Sequence, residues 1–492
     1  MSIFVNIKRL FKQSAVYGIG HIVSRSINFL MLPLYTNLLP RDDYGVVGLM
    51  FTYIAILTII YTYGLDAAFF RFYILDDDSH NRTKIFSTAF ILLALSSVLF
   101  SALLFFCSAG IARTIFTPHV RQLGIDLPKL IRLASGILMF DSIAFLPFLI
   151  LRAEERPRSF ITYKILNVLI NTSSNIFCLG VLKLGIEGIF IANLAASGLT
   201  LLMLVPLTAS RLGFCFSTSL LKDFFAFGLP YIPSNLALVI MDTIDRPFLE
   251  RLSGIETTGL YNAGVKLGMF MSLFVAAFRF AWNPFFLTTL KQENAKATFA
   301  KVFTYVLLAC FTVFLLFTLF IDNIAHFSIR GFSVVGKEFW PSTRIVPLIF
   351  LAYIFYAAYL NFLIGIYLHK KTKYLPYITI AGMLGNVVAN YTLIPEIGMM
   401  GAACARLVAY VIMALALYVV AIRLYPVRYE WIRIVKLFLV VAVLFTVDHL
   451  VDFNIIGKAV LFFALPLCLF AVGFFEGAEK DKIRILFGGG KR

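Results

Sequence analysis

Apolar stretches long enough to cross a bilayer recur from one end of the chain to the other, separated by short polar or charged connections. Each runs for roughly 20 residues, the length of helix that covers ~30 Å of hydrocarbon. Their positions predict helices near 14–38, 44–66, 83–107, 127–151, 159–182, 186–209, 224–245, 259–285, 300–321, 341–368, 373–394, 398–421, 434–451 and 456–475. A chain in hydrocarbon must satisfy its own backbone polar groups, so repeated runs of this length mean helices and not open sheet. The expected fold class is an all-α polytopic membrane protein of about 14 transmembrane helices.

Polar residues inside these runs fall at helical spacing. On helix 1, His21, Arg25 and Asn28 share one face, and an arginine at bilayer depth is costly enough to face a bundle interior or a watered cavity. Helix 2 ends near Asp66, with Arg71 soon after: a cytoplasmic gate or an interfacial ion pair with aromatic anchors. Helix 4 holds Asp141 near mid-span, either a titrating coupling group or half of a buried pair. Helix 5 carries a stripe of Lys164, Asn167, Asn171, Ser174, Asn175 and Cys178, which lines a watered path or supplies interhelical hydrogen bonds.

Two prolines, Pro230 and Pro233, loosen helix 7, whose far end bears Asp242, Asp245 and Arg246. Lys266 on helix 8 lies at similar depth, and a pair with Asp242 or Asp245 is the plain structural reading. Arg279, 13 residues on, falls about 220° round a straight helix from Lys266. Helix 10 is rich in tyrosine (Tyr353, Tyr356, Tyr359, Tyr367), helix 11 repeats the asparagine theme with Asn386 and Asn390, and helix 12 carries Arg406.

Composition agrees with this pattern. Apolar residues make up 60% of the chain and aromatic residues 16%, far from soluble averages. Mean hydropathy is +0.89. A net charge of +17 could suggest nucleic acid, but the basic residues gather in alternate connections, around Lys8, Arg82, Arg152, Lys222, Lys291, Lys370 and Arg428. With both termini cytoplasmic, that side carries roughly twice the Lys and Arg of the other. Residues 1–13 read as a basic lead-in on the membrane surface and 476–492 as a basic cytoplasmic tail. The first apolar run is too long for a signal-peptide core and reads as retained. Six scattered cysteines, none in a CxxC pair, imply neither a disulfide framework nor a metal site.

The halves repeat at an offset of about 213 residues: Gly185-Ile186-Glu187-Gly188 matches Gly398-Met399-Met400-Gly401, and Asn193 falls opposite Arg406. Tyr17-Gly18 matches Phe227-Gly228, and the asparagine stripes of helices 5 and 11 correspond. Six helices per copy give both copies the same orientation. The expected architecture is two six-helix lobes, 14–210 and 211–422, related by a parallel pseudo-two-fold axis, with two extra C-terminal helices in 423–475.

Tyr17-x-x-Gly20, Leu32-Pro33-Leu34-Tyr35-Thr36, Leu39-Pro40-x-x-x-Tyr44-Gly45, Gly64-Leu65 and Arg71-Phe72-Tyr73 resemble Wzx-type polysaccharide flippases. That family shares a superfamily with the MATE drug exporters and lipid II flippases. The resemblance implies alternating access of two lobes in the bacterial inner (cytoplasmic) membrane. The implied activity is translocation of an undecaprenyl-diphosphate-linked oligosaccharide for surface polysaccharide such as O-antigen. Membrane lipids, and the polymerase and chain-length proteins of the same pathway, are the implied partners; no nucleic acid is expected.

Embedded cations support that expectation, since Arg25, Lys164, Lys266, Arg279 and Arg406 outnumber Asp141 and Asp242. A cationic interior suits a diphosphate and repels a cationic drug. The expected substrate cavity comprises His21, Arg25, Asn28, Asn167, Asn171, Asn175, Lys266, Arg279, Asn386, Asn390 and Arg406. The expected coupling or gating groups are Asp66, Arg71, Asp141 and Asp242. No cofactor is expected beyond a coupling H+ or Na+; without a GxxxxGK[ST] loop, ATP hydrolysis by this chain is not expected. Alternatives are a lipid II flippase, a MATE-like antiporter, or a membrane enzyme on polyprenyl-linked sugars. The enzyme reading lacks the clustered carboxylates or histidines that an extramembrane site needs.

Overall fold

A computed structural model describes residues 29, 31–213, 215–289, 294–369, 371–451, 453–477 and 479. Each predicted helix from the second to the fourteenth has a helical counterpart, and helix 1 enters through Leu32–Leu38. Among the described residues, ten helices are long and apolar enough to span a bilayer, or eleven if the bent helix 7 counts as one. The protein is an all-α multi-pass membrane protein.

Helix 2 runs over Arg41–Thr62 and resumes over Leu65–Leu75. The break is made by Tyr63 and Gly64, both left-handed at φ 50° and 69°. Helix 3 is Ser79–Phe106 and helix 4 Leu127–Ala153, with two short helices, Ser108–Ile115 and Pro118–Arg121, between them. Helix 5, Pro157–Asn175, ends in a π-helical turn over Ile176–Val181, and helix 6 is Gly185–Ala209. These helices form the N-terminal lobe, in which helix 4 packs between helices 3 and 6.

Helix 7 is broken, as its prolines require. Thr218–Gly228 gives way to a 3-10 turn at Leu229–Tyr231, then Ile232–Thr243 and Asp245–Ser253. Its two halves meet at 43°. Helices 8 (Ile255–Thr289), 9 (Ala295–His326), 10 (Val346–Leu368, preceded by a 3-10 stretch from Lys337), 11 (Tyr374–Ile397) and 12 (Met399–Leu424) complete the second lobe. Helices 13 (Trp431–Val451) and 14 (Ile455–Ala471) pack against helix 9. A short hairpin, Ser328–Ile329 against Phe332–Ser333, caps the 9–10 connection.

Small residues let the lobes meet at two levels. At the predicted outer end helix 2 lies against helix 8: a β-carbon on Gly259 would stand 2.2 Å from the Arg41 carbonyl oxygen, and one on Gly45 2.3 Å from that of Ile255. The Asn37 amide donates to the Ser333 carbonyl at 2.7 Å, joining helix 1 to the hairpin. At the predicted inner end Gly64 abuts Gly228, Phe72 packs on Phe224, and Tyr63 on Phe225. Between these levels helices 1, 2, 7 and 8 leave a void.

Gly64 carries two demands at once, a positive φ and a backbone neighbour 2.4 Å from where its β-carbon would lie. Gly64→Val should therefore lower the thermal unfolding midpoint in detergent, with about 1–3 kcal/mol from the left-handed conformation alone. Gly110→Val, where nothing lies within 4 Å, should leave the midpoint near wild type; equal midpoints for both variants would show that the Gly64–Gly228 contact is dispensable.

Candidate functional site

The void between the lobes has a volume of about 320 Å³. Its N-lobe wall presents Tyr35, Tyr44, Phe51, Asn171 and Asn193; its C-lobe wall presents Thr243, Arg246, Asn262 and Lys266. Asn262 and Lys266 lie one turn apart on helix 8, so both side chains reach the same wall. Arg246 lies in the second half of helix 7, on the side facing helix 8. There its Nε donates to Asn262 Oδ1 at 2.5 Å, and its Nη1 donates to the Asp242 backbone carbonyl at 3.3 Å. The Asn262 amide also donates to the Tyr44 carbonyl across the lobe boundary, at 3.2 Å.

Two positive charges thus face one cavity whose wall carries no carboxylate among the described residues. Neither pairs with an acid among those residues. Lys266 rests instead on aromatic faces, with its ammonium 4.9 Å from the Tyr35 ring centroid and 5.8 Å from that of Tyr44. A ring face steadies an ammonium through its quadrupole without neutralising it. The pair expected between Lys266 and Asp242 or Asp245 is not formed.

Asp245 has a different partner. It is fully buried, and its Oδ2 lies 2.8 Å from Arg406 Nη2, itself 2% exposed. The Asn390 and Asn386 amides donate to Oδ1 at 2.9 and 3.3 Å, and the Tyr261 hydroxyl donates to Oδ2. Arg406 Nη2 also reaches the Asp242 carbonyl at 2.7 Å. Asn386, Asn390 and Arg406, expected on the cavity wall, therefore lie in a closed network joining helices 7, 8, 11 and 12.

The N-terminal lobe has the same construction without charge. The Tyr35 hydroxyl donates to Asn175 Oδ1 at 3.0 Å, Asn175 to Asn171 Oδ1 at 3.0 Å, and Asn171 to Asn193 Oδ1 at 2.9 Å. These positions match Asp245, Asn390, Asn386 and Arg406 at offsets of 210 to 215 residues. One lobe closes the motif with a phenol and amides, and the other with an ion pair. Of the asparagine stripe, Asn175 is buried and Asn167 bonds Thr200 and the Ala196 carbonyl on helix 6; only Asn171 also reaches the cavity.

The remaining expected residues lie apart from it. Arg279 contacts the Tyr356 hydroxyl at 3.5 Å, and Asp242 accepts from the Tyr410 hydroxyl at 2.9 Å. The Tyr356 and Tyr410 rings stand 5.2 Å apart, so a tyrosine chain connects that cation to that acid. Asp141 lies near Ser197 and Lys164. Lys164 itself lies 4.2 Å over the Phe148 ring.

Arg71 does not pair with Asp66; it lies 4.5 Å over the Phe227 ring of the opposite lobe. That contact crosses the lobe boundary. His21, Arg25 and Asn28 lie outside the described residues.

Sequence reasoning missed Arg246 as a cavity cation, and with it Asn262, Tyr35 and Tyr44. The signals were present, in the one-turn spacing of Asn262 and Lys266 and in the Tyr35 of the Leu-Pro-Leu-Tyr-Thr motif.

Comparison with known proteins places the arrangement. Residues 10–290 match the model of a family described as polysaccharide biosynthesis protein. The chain belongs to that family. It is 21% identical over 296 residues to an Lsg locus protein of Haemophilus influenzae, covering 58% of this chain and 68% of that one. The fold of this family member resembles the lipid II flippase MurJ in an inward closed conformation, at TM-score 0.76, 16% identity, and coverage of 96% of this chain and 100% of that one. It also resembles an inward-facing multidrug resistance MATE transporter of the MOP superfamily, at TM-score 0.66, 14% identity, and 82% and 95% coverage. The Wzx-type flippase resemblance read from the motifs thus agrees with both the family and the fold.

Removing Arg406 would leave the Asp245 carboxylate buried and uncompensated, a loss of about 3–5 kcal/mol. Arg406→Leu should lower the thermal unfolding midpoint sharply, and Asp245→Asn with Arg406→Gln should recover much of it. A double variant no better than Arg406→Leu would mean that the pair contributes more than charge balance.

Proposed function

We propose that this member of the polysaccharide biosynthesis family flips an undecaprenyl-diphosphate-linked oligosaccharide from the inner to the outer leaflet of the cytoplasmic membrane. The observation that carries the reading is the pair Arg246 and Lys266, two cations on one interlobe cavity with no carboxylate opposite them. In a site of reduced dielectric, two like charges repel each other and favour an anionic guest. A diphosphate supplies the charge, and a guanidinium with Asn171, Asn193 and Asn262 nearby supplies geometry for its oxygens. Tyr35, Tyr44 and Phe51 offer ring faces suited to sugar stacking.

A cavity of about 320 Å³ holds a diphosphate but not the oligosaccharide behind it. Passage of the sugar therefore needs the lobes to part at one level while they stay joined at the other. The glycine contacts of helices 2 and 8, and those of Gly64 with Gly228, are the two seams. Closing one seam while opening the other moves the cavity's access from leaflet to leaflet, with Arg246 and Lys266 holding the headgroup at the pivot. A cationic drug would meet repulsion in the same place, which disfavours the MATE-like alternative.

The test is leaflet exchange of a fluorescent polyprenyl-diphosphate oligosaccharide in proteoliposomes, read with a membrane-impermeant quencher. Arg246→Ala and Lys266→Ala should each slow exchange by about tenfold or more, as loss of a charge-assisted contact implies. Their unfolding midpoints should stay near wild type, since neither residue has an acidic partner to abandon. Undiminished exchange in both variants would remove the cavity from the transport path.

A further inference from the structure

A second polar cavity, of about 460 Å³, lies away from the lobe interface at the predicted inner end of the N-terminal lobe. Three arginines converge on it from three connections: Arg82 at the start of helix 3, Arg156 in the 4–5 turn, and Arg211 between helices 6 and 7. Glu154, only 15% exposed, anchors two of them, receiving Arg211 at 2.8 Å and Arg156 at 3.1 Å. The Tyr73 hydroxyl donates to the same carboxylate at 3.1 Å. Arg82 is fixed separately, with its Nε on the Asp76 carbonyl at 2.6 Å and its guanidinium 5.5 Å over the Tyr73 ring.

The balance of charge is the informative feature. One shielded carboxylate faces three guanidiniums; the only other acid on the wall, Asp77, stands 4.0 Å from Arg82 with a fully exposed side chain. Glu154, and for Arg82 the Asp76 carbonyl with Asp77 beside it, occupy one edge of each arginine, and among the described residues the other edges make no hydrogen bond. Each arginine remains 38–49% exposed, open to the cavity and its mouth. Planar N–H forks held in fixed orientation, with net positive charge, match the oxygens of a phosphate. The cavity also sits level with the end of helix 4 and the start of helix 3, where a bilayer places its lipid phosphates.

We propose that this cavity binds the phosphate of an anionic lipid headgroup, with Arg82, Arg156 and Arg211 as its ligands. The headgroup bridges the 2–3, 4–5 and 6–7 connections. The last of these is the covalent link between the lobes, so occupancy tethers that link to the N-terminal lobe.

The experiment is native mass spectrometry of the purified full chain with short-chain phosphatidylglycerol, phosphatidylcholine and undecaprenyl diphosphate added separately. Arg82→Gln leaves the Glu154 anchor intact, and Arg211→Lys keeps its charge while losing the fork. Each should weaken binding of a phosphate-bearing anionic lipid about tenfold and abolish preference over phosphatidylcholine. Lys371→Gln, in the 10–11 turn, should change neither. An effect on phosphatidylglycerol alone supports the site and assigns it to the bilayer; an effect on undecaprenyl diphosphate alone supports it and assigns it to the substrate. Unchanged binding of both lipids in both variants overturns the proposal. Binding is read without transport, so it stands or falls separately from the flippase reading.

Discussion

A polar side chain at bilayer depth cannot borrow water, so it must find a partner within the protein or line a wet cavity. That constraint organises the interior of this chain. Asp245 and Arg406 satisfy it by pairing, with Asn386, Asn390 and Tyr261 filling the carboxylate's remaining lone pairs. The asparagines of helices 5 and 6 satisfy it by bonding one another. Arg246 and Lys266 satisfy it by facing the cavity, held by an amide oxygen and two tyrosine rings. Charges that are neutralised become scaffold, and charges that are only steadied remain available to a guest.

The two lobes show how one construction serves two purposes. Tyr35 occupies in the first lobe the place that Asp245 holds in the second, and Asn193 the place of Arg406. In the second lobe the ion pair, with the bonds of Asn386 and Asn390, fixes the second half of helix 7 against helices 11 and 12. In the first lobe the same position yields a phenol whose hydroxyl closes the amide network while its ring supports Lys266. The cavity cation is thus held by a residue of the opposite lobe, and separation of the lobes alters its environment directly.

The two seams differ in kind. Near the Gly45–Gly259 seam, the interlobe hydrogen bonds include those of Asn37, Arg41 and Asn262 and those of Thr117 with Glu250. The Gly64–Gly228 seam is flanked by aromatic packing and by Arg71 over Phe227. Contacts of these kinds are individually modest.

The sequence alone determined the membrane class, the order of the helices from the second to the fourteenth, the break in helix 7, and the repeat that makes two lobes, though helix 2 runs on to Leu75 and helix 7 to Ser253, beyond the predicted ends. Length, hydropathy and proline chemistry act locally, so they are written in one dimension. It also singled out Lys266, Asn171 and Arg406 as polar residues at costly depth. Which of them pairs and which stays free was decided only by tertiary structure, because that depends on the side chains that five or six different helices bring within 3 Å. Lys266 and Asp245 lie close in the chain yet do not meet, since consecutive helical positions point about 100° apart, which turns Arg246 to Lys266's wall and Asp245 to Arg406, 161 residues away. Depth is legible in a sequence; partnership across helices is a property of the fold.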